Sequence, residues 1–238
     1  MSALQQWAQG IDLQWVITQA TVILAAVISL TVHECSHALA AKLLGDDTAQ
    51  RLGRLSLNPL RHLSVSGLLM LAIVHFGWAK PVPVDMRRFK NPKTGMALTS
   101  LAGPGSNVLL ALVSCLVLQC FFAFDKNSIS ALIAGEGARF YFFYFFYILA
   151  TLNAGLAVFN LIPISPLDGS KILAIVLPDK AYLWLMRYER YGMFALMLLL
   201  FTGVLDVPLD FLRTGLLRGL SLLTHLPFPD PNILRQIF

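Results

Sequence analysis

Apolar residues in this chain come in long unbroken stretches rather than in the rhythm of a half-buried soluble helix or strand. Positions 13–32, 62–79, 96–124, 140–167 and 191–205 carry no Asp, Glu, Lys or Arg. About 20 helical residues cross the hydrocarbon of a bilayer, so 96–124 and 140–167 are long enough by themselves. The first stretch becomes long enough when its helix continues past Val32 towards Leu44. The 191–205 stretch is short, and workable if little tilted or extended through Asp206. The 62–79 stretch contains Gly67 and Gly77 and is followed by Pro81 and Pro83, residues that turn or end a helix. The pattern predicts an all-α polytopic membrane protein. It has about four transmembrane helices, a re-entrant or small β-like insertion over about 62–84, and short extra helices.

Composition agrees. Hydrophobic residues make up 57% of the 238 and charged ones only 13%, with a mean hydropathy of +0.69, well outside the range of a soluble domain. That length holds one compact multi-span domain, with a core over about 13–178 and a C-terminal span and amphipathic tail over about 190–238. The first 14 residues contain no Lys or Arg, so the first apolar stretch is expected to be retained rather than cleaved as a secretory signal. The net charge of +5 reads as membrane topology and not as a nucleic-acid surface. Residues 42–95 carry nine Lys or Arg and 163–190 carry four, against five elsewhere (Lys126, Arg139, Arg213, Arg218, Arg235). If 62–79 does not cross, the thirteen share one face, the cytosolic one, and the N-terminus lies outside. Cys35, Cys115 and Cys120 form no CxxC pair and sit among apolar residues, which argues against a disulfide framework. Cys35 alone is placed to feel the chemistry discussed next.

His33-Glu34-Cys35-Ser36-His37 closes the first apolar stretch. On a helix, positions four apart share a face, so His33 and His37 can hold one metal ion. Glu34 points about 100° away, where it suits proton transfer from a water better than ligation. A chance HExxH with packed histidines is the bland alternative. It would leave a carboxylate beside the membrane, which is costly and usually functional. A tetrahedral zinc still needs another protein ligand. Asp168 is the candidate: Pro163 and Pro166 unwind the chain just before Asp168-Gly169, although an ordinary Asp-Gly turn would look the same. With four crossings, Asp168 arrives at the level of the histidines. A crossing by 62–79 would put it about 30 Å away. Gly103-Pro104-Gly105-Ser106-Asn107, by itself, reads more readily as close helix packing than as chemistry. His62 and His75 rate as structural, nothing catalytic is expected at His225, and the aromatic run Phe140–Tyr147 reads as a lipid-facing interfacial belt.

Together, His33–His37, Gly103–Asn107 and Asn160–Gly169 (NxxPxxxxDG) resemble, in order, the motifs of the site-2 protease family of intramembrane zinc metalloproteases. Gly77–Val84 is similar to a stretch of its compact bacterial branch, which has no PDZ or CBS domain. The likeness covers about 22–175. It implies one zinc ion on His33, His37 and Asp168, Glu34 activating water, and Asn160 contacting the substrate or its developing oxyanion. It implies hydrolysis of transmembrane-helix substrates near the cytosolic side, as in regulated intramembrane proteolysis, by a multi-pass protein of a bacterial cytoplasmic membrane. The expected partners are a membrane-helix protein and the lipid bilayer, with no nucleic acid. Two other classes compete. A catalytically silent scaffold would have no need of Glu34, and a metal transporter would carry ionisable groups along several spans.

Overall fold

The structure, a computed structural model, describes residues 13–62, 64, 80–124, 137–173, 175–178, 180–181 and 187–224. Three long helices dominate it: α1 at Leu13–Leu43, followed by a short α2 at Thr48–Arg51, then α3 at Pro92–Phe124 and α4 at Gly137–Asn160. A six-residue α5 (Asp168–Leu173) follows, then α6 (Glu189–Phe201) and α7 (Asp206–Thr224). Short 3-10 turns lie at Pro59–Arg61 and Met86–Arg88. There is no strand among the described residues. The all-helical membrane fold expected from the sequence is therefore present, while most of the 62–84 insertion lies outside the described residues.

Helices α1, α3 and α4 are each long and apolar enough to cross a membrane, and each packs on the other two. Small buried residues allow the close approach: Ala25 and Ala26 on α1, Ala111 on α3, Ala150, Ala154 and Ala157 on α4. A polar clamp joins two of them, Asn153 Nδ2 donating to Ser29 Oγ at 2.8 Å. The expected fourth crossing differs. Helix α6 has 13 residues, about 20 Å of rise, and falls short of the hydrocarbon thickness. The chain turns at Gly203 (φ 69°) and bends by 87° into α7, so only the two helices taken together are long and apolar enough for a fourth span. The aromatic run also differs from its expected role. Phe140, Phe143, Tyr144 and Tyr147 are buried, with Phe143 and Tyr147 packed on Leu118 of α3. Only part of the run faces outward, Phe142 among it.

Beyond α1 the chain is pinned by polar contacts. Asp46 is fully buried. Its carboxylate accepts from the Thr48 amide at 3.0 Å and from the Asp85 amide at 2.7 Å. Arg88 pairs with Asp47 at 2.6 Å. Arg54 donates to the carbonyls of Lys80 and Pro81, and the Lys80 amide donates to the His62 carbonyl at 2.7 Å. Residues 80–88 are thus strapped across the end of α1 that carries the HExxH. Pro81 and Pro83 restrict the backbone between these anchors to extended conformations.

Candidate metal centre

Antiparallel packing of α1 and α3 brings two four-residue ladders face to face. His33 and His37 lie on one, Thr99, Gly103 and Asn107 on the other. His37 Nδ1 donates to the Thr99 carbonyl at 2.7 Å. A carbonyl can only accept, so His37 carries its proton on Nδ1 and turns the Nε2 lone pair towards the cluster. Asn107 stands opposite His33, with 3.2 Å between Nδ2 and His33 Nδ1. Gly103 lies between the rings. A Cβ there would meet His37 Cε1 and Nε2 at 2.5 Å and His33 Cε1 at 2.6 Å. The glycine is therefore the space the imidazoles occupy.

Asp168 opens α5 and completes the group. Its Oδ2 lies 3.2 Å from Nε2 of both histidines, and the two Nε2 atoms are 3.0 Å apart. Gly169 makes this approach possible, because a Cβ at that position would collide with the carbonyls of Leu161 and Ile162. Backbone cannot step aside as a flexible side chain can. Burial alone would raise the Asp168 pKa. Its contacts with His33 and His37 outweigh burial and hold the carboxyl well below the usual range. Lys171 adds a charge 3.8 Å from the other carboxylate oxygen.

These three residues fit zinc. Ligands about 2.0–2.1 Å from a tetrahedral ion lie about 3.3–3.4 Å from one another, and the edges here are 3.0, 3.2 and 3.2 Å. All three side chains are buried, and no other trio of potential ligands meets among the described residues. They line a cavity of about 310 Å³ that also takes in Glu34, Asn160, Val82, Val84 and Lys171. Glu34 is half-buried, and its Oε2 accepts from the Val82 amide at 3.1 Å. Asn160 donates one amide hydrogen to the Leu156 carbonyl of its own helix at 2.9 Å, leaving the other for the cavity.

The remaining polar candidates lie elsewhere. His62 is buried and bonds the Ser56 carbonyl at 2.7 Å, a structural tie as expected. His75 and His225 lie outside the described residues. Cys35 does not line the cavity and instead meets the Ser56 backbone. Thr99, Gly103, Asn107 and Val82 were not readable as site residues from composition or spacing alone. The signal that could have found three of them is the four-residue ladder on α3, matching that on α1.

An HExxH helix and a distant aspartate, joined at one end of a bundle of membrane-length helices, define a membrane metallopeptidase. The sequence pattern of peptidase family M50 matches residues 21–202, and the chain belongs to that family, the site-2 proteases. It is similar to YwhC of Bacillus subtilis (strain 168), 36% identical over 180 residues that span 76% of this chain and 80% of the relative. It is also similar to Rip2 of Mycolicibacterium smegmatis, 29% identical over 78% of this chain and 68% of the relative. MJ0392 of Methanocaldococcus jannaschii is 26% identical over 68% of this chain and 35% of the relative. All three carry zinc metalloprotease in their names. No solved structure matches the chain. The protein is a zinc metalloprotease of the site-2 type and an integral membrane protein.

Proposed function

We propose that this protein cleaves membrane-helix substrates at a zinc site held by His33, His37 and Asp168, close to the cytosolic face of a bacterial cytoplasmic membrane. The observation that carries the reading is the meeting of these three residues with Glu34 in one cavity at the end of three membrane-length helices. Zinc, when bound, supplies Lewis-acid polarisation and a water acidic near neutral pH. Glu34 takes the proton of the attacking water and delivers it to the leaving amine. The Val82 amide holds one of its carboxylate oxygens and leaves the other for the proton. The free amide hydrogen of Asn160 serves as a neutral donor to the developing oxyanion.

A substrate helix hides its carbonyls in its own hydrogen bonds and must unwind before attack. The Pro81–Val84 strap, extended along the cavity wall, offers backbone for the unwound peptide. His33 lies 20 residues beyond Leu13, about 30 Å of helix, which matches the thickness of the hydrocarbon and supports a site near one face. The thirteen Lys and Arg of 42–95 and 163–190 support the cytosolic side. The chain works as one domain over 1–238, whose cleavage of membrane proteins suits regulated intramembrane proteolysis.

Reconstitution with a model transmembrane substrate tests the proposal. Glu34→Gln is expected to abolish cleavage while zinc remains bound, and Asp168→Ala to lose the zinc. Cleavage that survives Glu34→Gln, or an unchanged zinc content in Asp168→Ala, would refute these roles.

A further inference from the structure

We infer that Asn107 is a positioning residue for zinc binding, its amide turning to accept the Nδ1 proton of His33 when the metal is held. The two histidines are supported differently. Thr99 offers His37 a carbonyl, which fixes one tautomer. Asn107 offers His33 an amide, which can donate or accept. Asn107 Nδ2 faces His33 Nδ1 at 3.2 Å. With the nitrogen on that side the amide can only donate, which would put the His33 proton on Nε2, the nitrogen pointing at Asp168 Oδ2 and His37 Nε2. In that tautomer Nε2 has no lone pair for a metal.

Binding requires the other tautomer, with the lone pair on Nε2 and the proton on Nδ1, and a buried Nδ1–H needs an acceptor. The atom that can serve is already beside it. Asn107 Oδ1 is buried and has no hydrogen-bond partner, on a side chain wholly shielded from solvent. A planar amide keeps its shape when its oxygen and nitrogen change places. A half-turn therefore presents Oδ1 to Nδ1–H without disturbing the helix contact. Asn107 in effect holds the same ring in two states, one for each direction of the hydrogen bond.

The alternative is that Asn107 merely glues α3 to α1. The two roles rank substitutions in opposite order. Asn107→Asp keeps an acceptor of the same shape, whereas Asn107→Leu keeps bulk and removes it. A pure packing role makes the buried carboxylate the worse change and leucine the tolerated one. The positioning role predicts zinc affinity within a fewfold of wild type for Asn107→Asp, and about 10–100-fold weaker for Asn107→Leu, read by chelator competition in detergent. Wild-type affinity in Asn107→Leu overturns the inference, as does weaker binding in Asn107→Asp than in Asn107→Leu.

A second measurement needs no variant and covers the case in which either one misfolds. Histidine-selective ¹⁵N spectra of the wild-type protein, with and without zinc, report which ring nitrogen is protonated. One of the metal-linked rings should move its proton from Nε2 to Nδ1 on zinc loading, while the other keeps Nδ1–H throughout. No change of tautomer on loading overturns the inference. The inference rests on His33 being a zinc ligand, and the two fail separately. Full zinc binding by His33→Ala defeats that reading. Wild-type affinity in Asn107→Leu, with His33→Ala lacking zinc, defeats this one alone.

Discussion

Replacing Gly103 by alanine should cripple the metal site while leaving the fold in place. The added Cβ would lie 2.5 Å from His37 Cε1 and Nε2 and 2.6 Å from His33 Cε1, where carbon contacts settle at about 3.5–4.0 Å. The rings must retreat by about 1 Å. Neither has room, because Thr99 and Asn107 hold their far sides and Asp168 their near side. Overpacking of this kind costs about 1–3 kcal/mol of stability, which a bundle of long helices can absorb. The ligand set cannot absorb it, since a metal site tolerates only about 0.2 Å in its distances. Zinc affinity should therefore fall at least as far as for loss of a supporting hydrogen bond, about 10–100-fold, and proteolysis with it. Chelator competition on the detergent-purified protein measures the first, and cleavage of a reconstituted transmembrane substrate the second. Gly105→Ala is the control on the same helix, because its Cβ meets nothing within 4 Å. Wild-type zinc affinity in Gly103→Ala would show that the ring positions are not what the site depends on.

Three further outcomes follow from the strap and the topology. Val82→Pro removes the amide that holds Glu34; a hydrogen bond to a charged group is worth about 1.5–3 kcal/mol, so cleavage should fall about 10–100-fold with zinc content unchanged. A loss of zinc instead would place the effect elsewhere. Burial alone would raise the Asp46 pKa, but bonds from the Thr48 hydroxyl and the Asp85 and Thr48 amides, with the charge of Arg88, lower it overall. Its contribution is then complete above the ordinary aspartate pKa of about 4 and is lost as pH falls through the lower folded value. Thermal melts from pH 7 to 3 should show this loss, and Asp46→Asn should flatten it; an equally steep loss in the variant would exclude Asp46 as its source. Lys93 Nζ donates to the Leu177 carbonyl at 2.9 Å, so cysteines placed at the exposed Lys90 and Lys180 should react with an impermeant thiol reagent from the same side, in a background lacking Cys35, Cys115 and Cys120. Labelling from opposite sides would refute the topology.

The parts of this fold that were legible in the sequence are those where chemistry conflicts with the surroundings. Apolar stretches longer than a soluble helix needs marked α1, α3 and α4. A Glu and an Asp at the ends of such stretches marked the candidate site, and the structure brings Asp168 beside His33 and His37. The aromatic run was misjudged because both faces of a membrane helix are apolar, so hydrophobicity cannot separate Phe143, packed on α3, from Phe142, facing out. Asn107 read as packing for a related reason, since a polar residue between membrane helices looks the same whether it joins helices or orients a ligand. The support of Glu34 was invisible because its donor is a backbone amide, and any residue except proline has one. The break at Gly203 was hidden by an apolar run that continues through it.

Removing zinc should loosen one particular seam of the bundle. The contacts that match α1 to α3 at the site are His37 to Thr99, the rings over Gly103, and His33 to Asn107. All follow the four-residue ladders, and a one-residue slip of α3 would turn every one of them about 100° off the ring face. Metal binding and helix register therefore support each other. Zinc at about a thousand times its dissociation constant would add about 4 kcal/mol to the bound arrangement. That stabilisation acts on the segments that supply or seat ligands: 33–37, 99–107 and 160–171. It does not act on the aromatic seam between Leu118 and Phe143–Tyr147, which contributes no ligand. Chelation should therefore raise amide hydrogen exchange at the first group of segments and leave 118–121 and 143–147 at their original protection. Equal loosening of both seams would mean that the metal stabilises the bundle as a whole, and unchanged exchange at 99–107 would mean that α3 keeps its register without it.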